Sequence, residues 1–120
     1  MNILTTARKL NYGTPFFFAR RDILEERYLS FRQLLGDDAE ICYALKANSV
    51  PEILTHLKDI GSSFEAASAF EIKILLDLGV NPKNIIYGTS IKPSDHIRQA
   101  CKWGINRFAA DSREEVDKVA

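Results

Sequence analysis

The chain has 120 residues, 46% of them hydrophobic, and its 16 basic and 16 acidic side chains cancel to a formal net charge of zero. That is the size of one small domain with enough apolar material for a core, which excludes a disordered chain. Neither sign of charge gathers in a long block, so nucleic acid and anionic membrane are excluded as electrostatic partners and a small-molecule ligand is the expectation.

The first elements are modest. Residues 1–14 are polar and weakly patterned and read as a lead-in segment, closed by Gly13-Thr14-Pro15 as a turn or strand start. They lack the apolar core of a signal peptide, and no later run approaches the roughly 20 apolar residues of a membrane span, so a cytoplasmic location is expected. Pro15-Phe16-Phe17-Phe18-Ala19 predicts a short aromatic strand. Asp22 followed by Glu25 reads as a capping box for a helix that runs through Leu35 and stops at Gly36. Ile23, Leu24, Tyr28, Phe31, Leu34 and Leu35 give that helix one apolar side.

From residue 40 the pattern becomes regular. Apolar runs near 40–46, 62–67, 84–89 and 106–111 recur about every 22 residues and alternate with helical patterns, which predicts βαβ units and a parallel sheet. Ser49 with Glu52, Ser68 with Glu71 and Ser112 with Glu115 fit capping boxes, and Gly61, Gly79 and Gly104 stand where the helices should stop. In the first of these runs, Ile41, Tyr43 and Leu45 point to one face of a strand while Cys42, Ala44 and Lys46 point to the other. A bulky face suits packing against helices; a small face ending in an amine suits a crowded barrel interior, with Lys46 at the end where barrel enzymes place their chemistry. Lys46 and Asn48, Glu65, Thr89 and Ser90, and Asp111 all close strands on that same side and form the expected binding rim. The expected fold class is α/β, the N-terminal half of a (β/α)8 barrel, with residues 15–120 as a partial barrel domain of about four βα units after an initial strand and helix. Four units do not close a barrel of about 250 residues, and the helix opened by Ser112, with Val116 and Val119 on its apolar side, runs out without a cap. A larger protein is the expectation.

These residues resemble a known family. Tyr43-Ala44-Leu45-Lys46-Ala47-Asn48 resembles the signature around the pyridoxal-phosphate lysine of the fold-type III, alanine-racemase-like decarboxylases of basic amino acids. Gly61-Ser62-Ser63-Phe64-Glu65-Ala66-Ala67-Ser68 with Glu71 is similar to the family's second-strand motif, and Ile85-Ile86-Tyr87-Gly88-Thr89-Ser90-Ile91-Lys92 to its third. Gly104 through Asp111-Ser112 and Glu115 is similar to the fourth, and Gly13-Thr14-Pro15-Phe16 to the usual opening segment. The stretch ending in Lys92 is closer to ornithine or lysine decarboxylases than to diaminopimelate decarboxylases. Two departures stand out: Glu65, where the family more often carries aspartate, and Ala69-Phe70, where small or polar residues are more usual.

The resemblance implies decarboxylation of ornithine or lysine in polyamine synthesis by a full-length homodimer. Lys46 would carry pyridoxal 5'-phosphate as the internal aldimine, and Ala44 and Glu65 would be further cofactor-binding residues. An amine can condense with an aldehyde once it has lost its proton, and burial among apolar groups lowers the cost of that loss. Cys42 and Ala44 leave room for a flat ring. Without the resemblance, a lysine at a strand end is a solvated residue. Glu65 reads equally as a group that orients the imine or as a plain ion-pair partner. Glu71 and Asp111 read as capping residues, and Asn48 as a cap for the helix after Lys46. Lys92, before Pro93, reads as solvated, His56 and His96 as surface residues, and Trp103 as core packing. Cys42 and Cys101 fit neither a metal spacing nor a disulfide framework and read as free thiols. No glycine-rich phosphate cradle, no acid for the pyridine nitrogen and no histidine to stack on the ring is found; in the family these come from later strands and a partner subunit, so this chain alone should not catalyse. The alternatives are a diaminopimelate or carboxynorspermidine decarboxylase, a racemase on the same barrel, or a non-catalytic regulatory homologue.

Overall fold

Three short strands, β1 (Cys42–Ala44), β2 (Ser63–Ala66) and β3 (Ile85–Tyr87), pair in parallel in the order β1-β2-β3 in this computed structural model, which describes residues 3–11, 13 and 15–120. Helix α2 (Arg21–Leu35) precedes β1; α3 (Pro51–Asp59) leads from β1 to β2, and α4 (Ala69–Asp77) from β2 to β3. Helix α5 (Ser94–Lys102) follows β3, and α6 (Arg113–Val119) comes last. This is the alternation expected from the apolar runs. The fourth run takes the expected parallel place but joins by one bridge, Tyr87 to Phe108. Tyr87 N–H donates to the Arg107 carbonyl at 2.9 Å, and Ala109 N–H donates to the Tyr87 carbonyl at 3.0 Å.

Register decides the two faces. Tyr43, Phe64 and Ile85 lie side by side, as do Ala66 and Tyr87 one step further on. Phe64, Ala66, Ile85 and Tyr87 are buried against the helices, in one cluster with Leu45, Leu54, Leu57, Ile72 and Leu75. Each large side chain of this layer contributes roughly 1.5–3 kcal/mol by leaving water. The opposite face carries Cys42, Ala44, Glu65 and Ile86, all half-buried. Bulky outward and small inward is the division expected for β1.

Local chemistry sets the helix ends. Ser68 accepts from Glu71 N–H at 3.1 Å, and Glu71 reaches back to Ala67 N–H at 2.6 Å, so that capping box forms as expected. Ser112 accepts from Glu115 N–H at 3.2 Å. Gly61, Gly79 and Gly104 follow α3, α4 and α5 at φ of 90°, 75° and 87°, a region closed to most side chains. Replacing Ser68 with alanine should cost about 1 kcal/mol, measured by denaturant unfolding of the full-length protein.

Several expectations are corrected. Pro15–Ala19 forms no strand: it joins no ladder of the sheet among the described residues; Phe16, Phe17 and Phe18 are exposed, and Thr14 lies outside the described residues. The lead-in contains a helix, α1 (Ile3–Lys9), whose Ala7 is buried. Asp22 does not cap α2: Arg20 holds the N-cap position and pairs with Asp22 instead. Ser49 does not cap α3; Val50 is at the N-cap with Pro51 at the first helical position, and Asn48 Oδ1 accepts from Val50 N–H at 3.0 Å. On α2, Tyr28 is buried and Leu24 packs on the core, whereas Phe31, Leu34 and Leu35 are exposed. Among the described residues, no helix is long and apolar enough to cross a membrane.

Candidate functional site

The C-terminal ends of the parallel strands share one rim, and Lys46 stands on it in an unexpected way. Strand β1 ends at Ala44, and Leu45–Ala47 forms a 3-10 turn, so the lysine is carried by the turn rather than by the strand face. The turn forms because Leu45 swings into the core, where it is almost fully buried. Lys46 is left exposed instead of enclosed by apolar groups, and among the described residues its amine has no hydrogen bond or ion pair. Tyr43 Oη donates to the Asn48 carbonyl at 3.1 Å, closing the turn from its far side. Burial pushes the Tyr43 hydroxyl above its ordinary pKa, so it remains a donor.

Glu65 lies across from Ala44 in the β1–β2 register and beside Ile86 on β3. Both expected site residues on strands therefore occupy adjacent positions of one face, two residues before Lys46 in the case of Ala44. Gly88 follows β3, and a methyl group placed there would overlap the Glu65 carboxylate and its stem. Towards the start of the strands, Arg107 makes a two-bond ion pair with Glu40, with Nη2 to Oε1 at 2.9 Å. The Arg107 hydrogen bond holds the Glu40 carboxyl below its usual range. Burial, aided by Glu40, pushes the Cys42 thiol up, which keeps it protonated and inert.

Lys92 is not solvated; it is fully buried. Its amine donates to the carbonyls of Thr89 at 2.8 Å, Ser90 at 3.4 Å and Ala109, and lies 3.5 Å from Glu115 Oε2. Lys92 N–H donates to the same carboxylate at 3.3 Å, and the Lys92 carbonyl accepts from Lys118 Nζ at 2.8 Å. The amine thus uses its three donors on carbonyls from two neighbouring strand ends. The only sequence sign of this was Glu115, a capping-box glutamate whose carboxylate is instead engaged by Lys92 and Lys118. The Lys118 hydrogen bond, followed by that from Lys92 N–H, holds the Glu115 carboxyl below its usual range against the opposing effect of burial. A depressed folded pKa contributes stability that is complete above the unfolded glutamate value of about 4.3 and lost as pH falls through the folded value. Glu40 acts in the same direction. Glu115→Gln should therefore flatten the acid limb of a stability-versus-pH curve, with the difference from wild type vanishing at the most acid end.

The remaining candidates are dispersed. Asp111 is exposed and leaves the cap of α6 to Ser112. His56 is partly buried between α2 and α3, its Nε2 3.6 Å from Glu25, so it is not a plain surface residue; His96 is exposed. Trp103 packs on the core as expected, and Cys42 and Cys101 are free thiols. No cluster that could hold a metal ion is found among the described residues.

Residues 21–120 match the family described as pyridoxal-dependent decarboxylase, pyridoxal binding domain. The lysine/ornithine decarboxylase of Selenomonas ruminantium is 41% identical over 118 residues, which is 98% of this chain and 29% of that protein. The diaminopimelate decarboxylase of Vibrio cholerae is 31% identical over 109 residues, covering 90% of this chain and 26% of that protein. The crystal structure of SrLDC in complex with PLP and cadaverine superposes with a TM-score of 0.87 at 39% identity, over 98% of this chain and 30% of that one. The chain thus spans less than a third of the length of the relatives it matches, and its strands and helices correspond to the N-terminal part of their barrel.

Proposed function

Since the chain belongs to the pyridoxal-dependent decarboxylases, through their pyridoxal-binding domain, we propose that the whole protein removes carbon dioxide from ornithine or lysine, with Lys46 as the residue that holds the cofactor covalently. The observation that carries this reading is the exposed Lys46 amine at the strand rim, without a hydrogen bond or ion pair among the described residues, two positions after Ala44 on the small-residue face of β1. Cys42 and Ala44 leave the β1 part of that face room for a flat ring, and Glu65 supplies one carboxylate beside it, lying over Gly88. The residues present fit an aldehyde cofactor: Lys46 would hold it through its primary amine, which has no competing partner among the described residues. Bound there, pyridoxal phosphate supplies the electron sink for the bond broken when carbon dioxide leaves. Lys46 would hold it, Tyr43 and the Asn48 carbonyl close the turn that presents Lys46, and Glu65 would place its carboxylate beside it.

Ornithine or lysine is favoured over diaminopimelate by the higher identity to the lysine/ornithine decarboxylase, 41% against 31%. Polyamine synthesis, a cytoplasmic location and a homodimer belong to the same proposal. With 29% of that relative's length covered, residues 1–120 alone are proposed not to catalyse.

The test is an absorbance titration of the full-length protein with pyridoxal phosphate, then borohydride reduction and peptide mapping. A visible band and a reduced adduct on Lys46 are expected. No adduct in a folded protein would overturn the assignment and leave a non-catalytic homologue. Product analysis with ornithine, lysine and diaminopimelate then decides the substrate, and release of carbon dioxide from diaminopimelate alone would reject the basic-amino-acid reading.

A further inference from the structure

Gly88 is a glycine without a backbone reason to be one. The glycines that close helices have positive φ, whereas Gly88 is not among the residues in that region. Its N–H donates to the Ala66 carbonyl at 2.8 Å, continuing the ladder of β3 with β2. A side chain at this position is therefore excluded by space, and the nearest obstacle is Glu65: a methyl group would overlap its Oε1, Cγ and Cδ. The backbone cannot retreat without giving up its ladder hydrogen bond, so the glutamate would have to move.

The consequence is unequal for stability and for the site. Glu65 is half-buried and has rotatable bonds, so it can swing away at modest cost to folding. Its carboxylate would then leave the face it shares with Ala44. We propose that Gly88 is a positioning residue: its missing side chain is the slot in which the Glu65 carboxylate lies across the third strand, and this holds the carboxylate against the cofactor bound at Lys46. The inference rests on the cofactor reading above and adds to it a residue 23 positions from Glu65 in the chain.

The experiment is a double-mutant cycle in the full-length protein with Gly88→Ala, Glu65→Ala and the pair. Two quantities are read: the dissociation constant for pyridoxal phosphate by absorbance titration, and the unfolding midpoint of the cofactor-free protein. Each single change is expected to weaken cofactor binding about tenfold, and the pair is expected to be no weaker than the weaker single, because the three atoms the added methyl meets most closely all belong to the glutamate stem and carboxylate. The cofactor-free midpoints should also be non-additive. Losses that multiply in the pair, or a Gly88→Ala protein that binds the cofactor as wild type does, would overturn the proposal. Borohydride labelling of Lys46 in the wild-type protein separates the two readings: an adduct with an additive cycle rejects the role of Gly88 alone, and no adduct rejects the cofactor reading on which it stands.

Discussion

Replacing Lys46 with alanine in the full-length protein should lower decarboxylation on the order of a thousandfold or more, and borohydride should then fix no cofactor at the turn after β1. Alanine removes the only atom of the side chain that can condense with an aldehyde. Lys46→Arg separates charge from nucleophilicity, because the guanidinium stays protonated at any working pH and keeps the positive charge without a reactive amine. Both variants should fail equally. The side chain is exposed and without partners among the described residues, so neither change should cost more than about 0.5 kcal/mol in stability. Carbon dioxide release is the measurement, and a Lys46→Ala protein within tenfold of wild type would reject the assignment.

The second large effect is on folding. Lys92→Met should destabilise the full-length protein by about 3–5 kcal/mol, the usual cost of breaking a buried ion pair from one side. The methionine fills the space but leaves the carbonyls of Thr89, Ser90 and Ala109 without the amine and Glu115 without one of its cations. Against a total stability of about 5–15 kcal/mol for a domain, that is a major share. Lys118→Met is the control: this lysine also pairs with Glu115, but its side chain is partly exposed, and the loss should be closer to about 1 kcal/mol. Denaturant midpoints for the two variants decide it. Equal, small losses would mean that water replaces the Lys92 amine.

The order of strands and helices, the stops at Gly61, Gly79 and Gly104, the caps at Ser68 and Ser112 and the two faces of β1 were legible in the sequence. Each of these depends on residues within a few positions of one another: period-two alternation, a hydroxyl three residues before a glutamate, a glycine where φ turns positive. The family motif around Lys46 was legible for the same reason, since it is one contiguous stretch. Tertiary structure alone decided the rest. Pro15–Ala19 has strand composition but joins no ladder of the sheet among the described residues, and pairing is not a local property. Lys92 before Pro93 looks solvated until the carbonyl of Ala109, 17 residues away, meets those of Thr89 and Ser90 around its amine. Lys46 reads as a strand residue until the burial of Leu45 turns the chain. Gly88 carries no signal of its own within the third strand run until β2 and β3 pair and bring Glu65 over it, because only a fixed register makes two residues so far apart compete for one space.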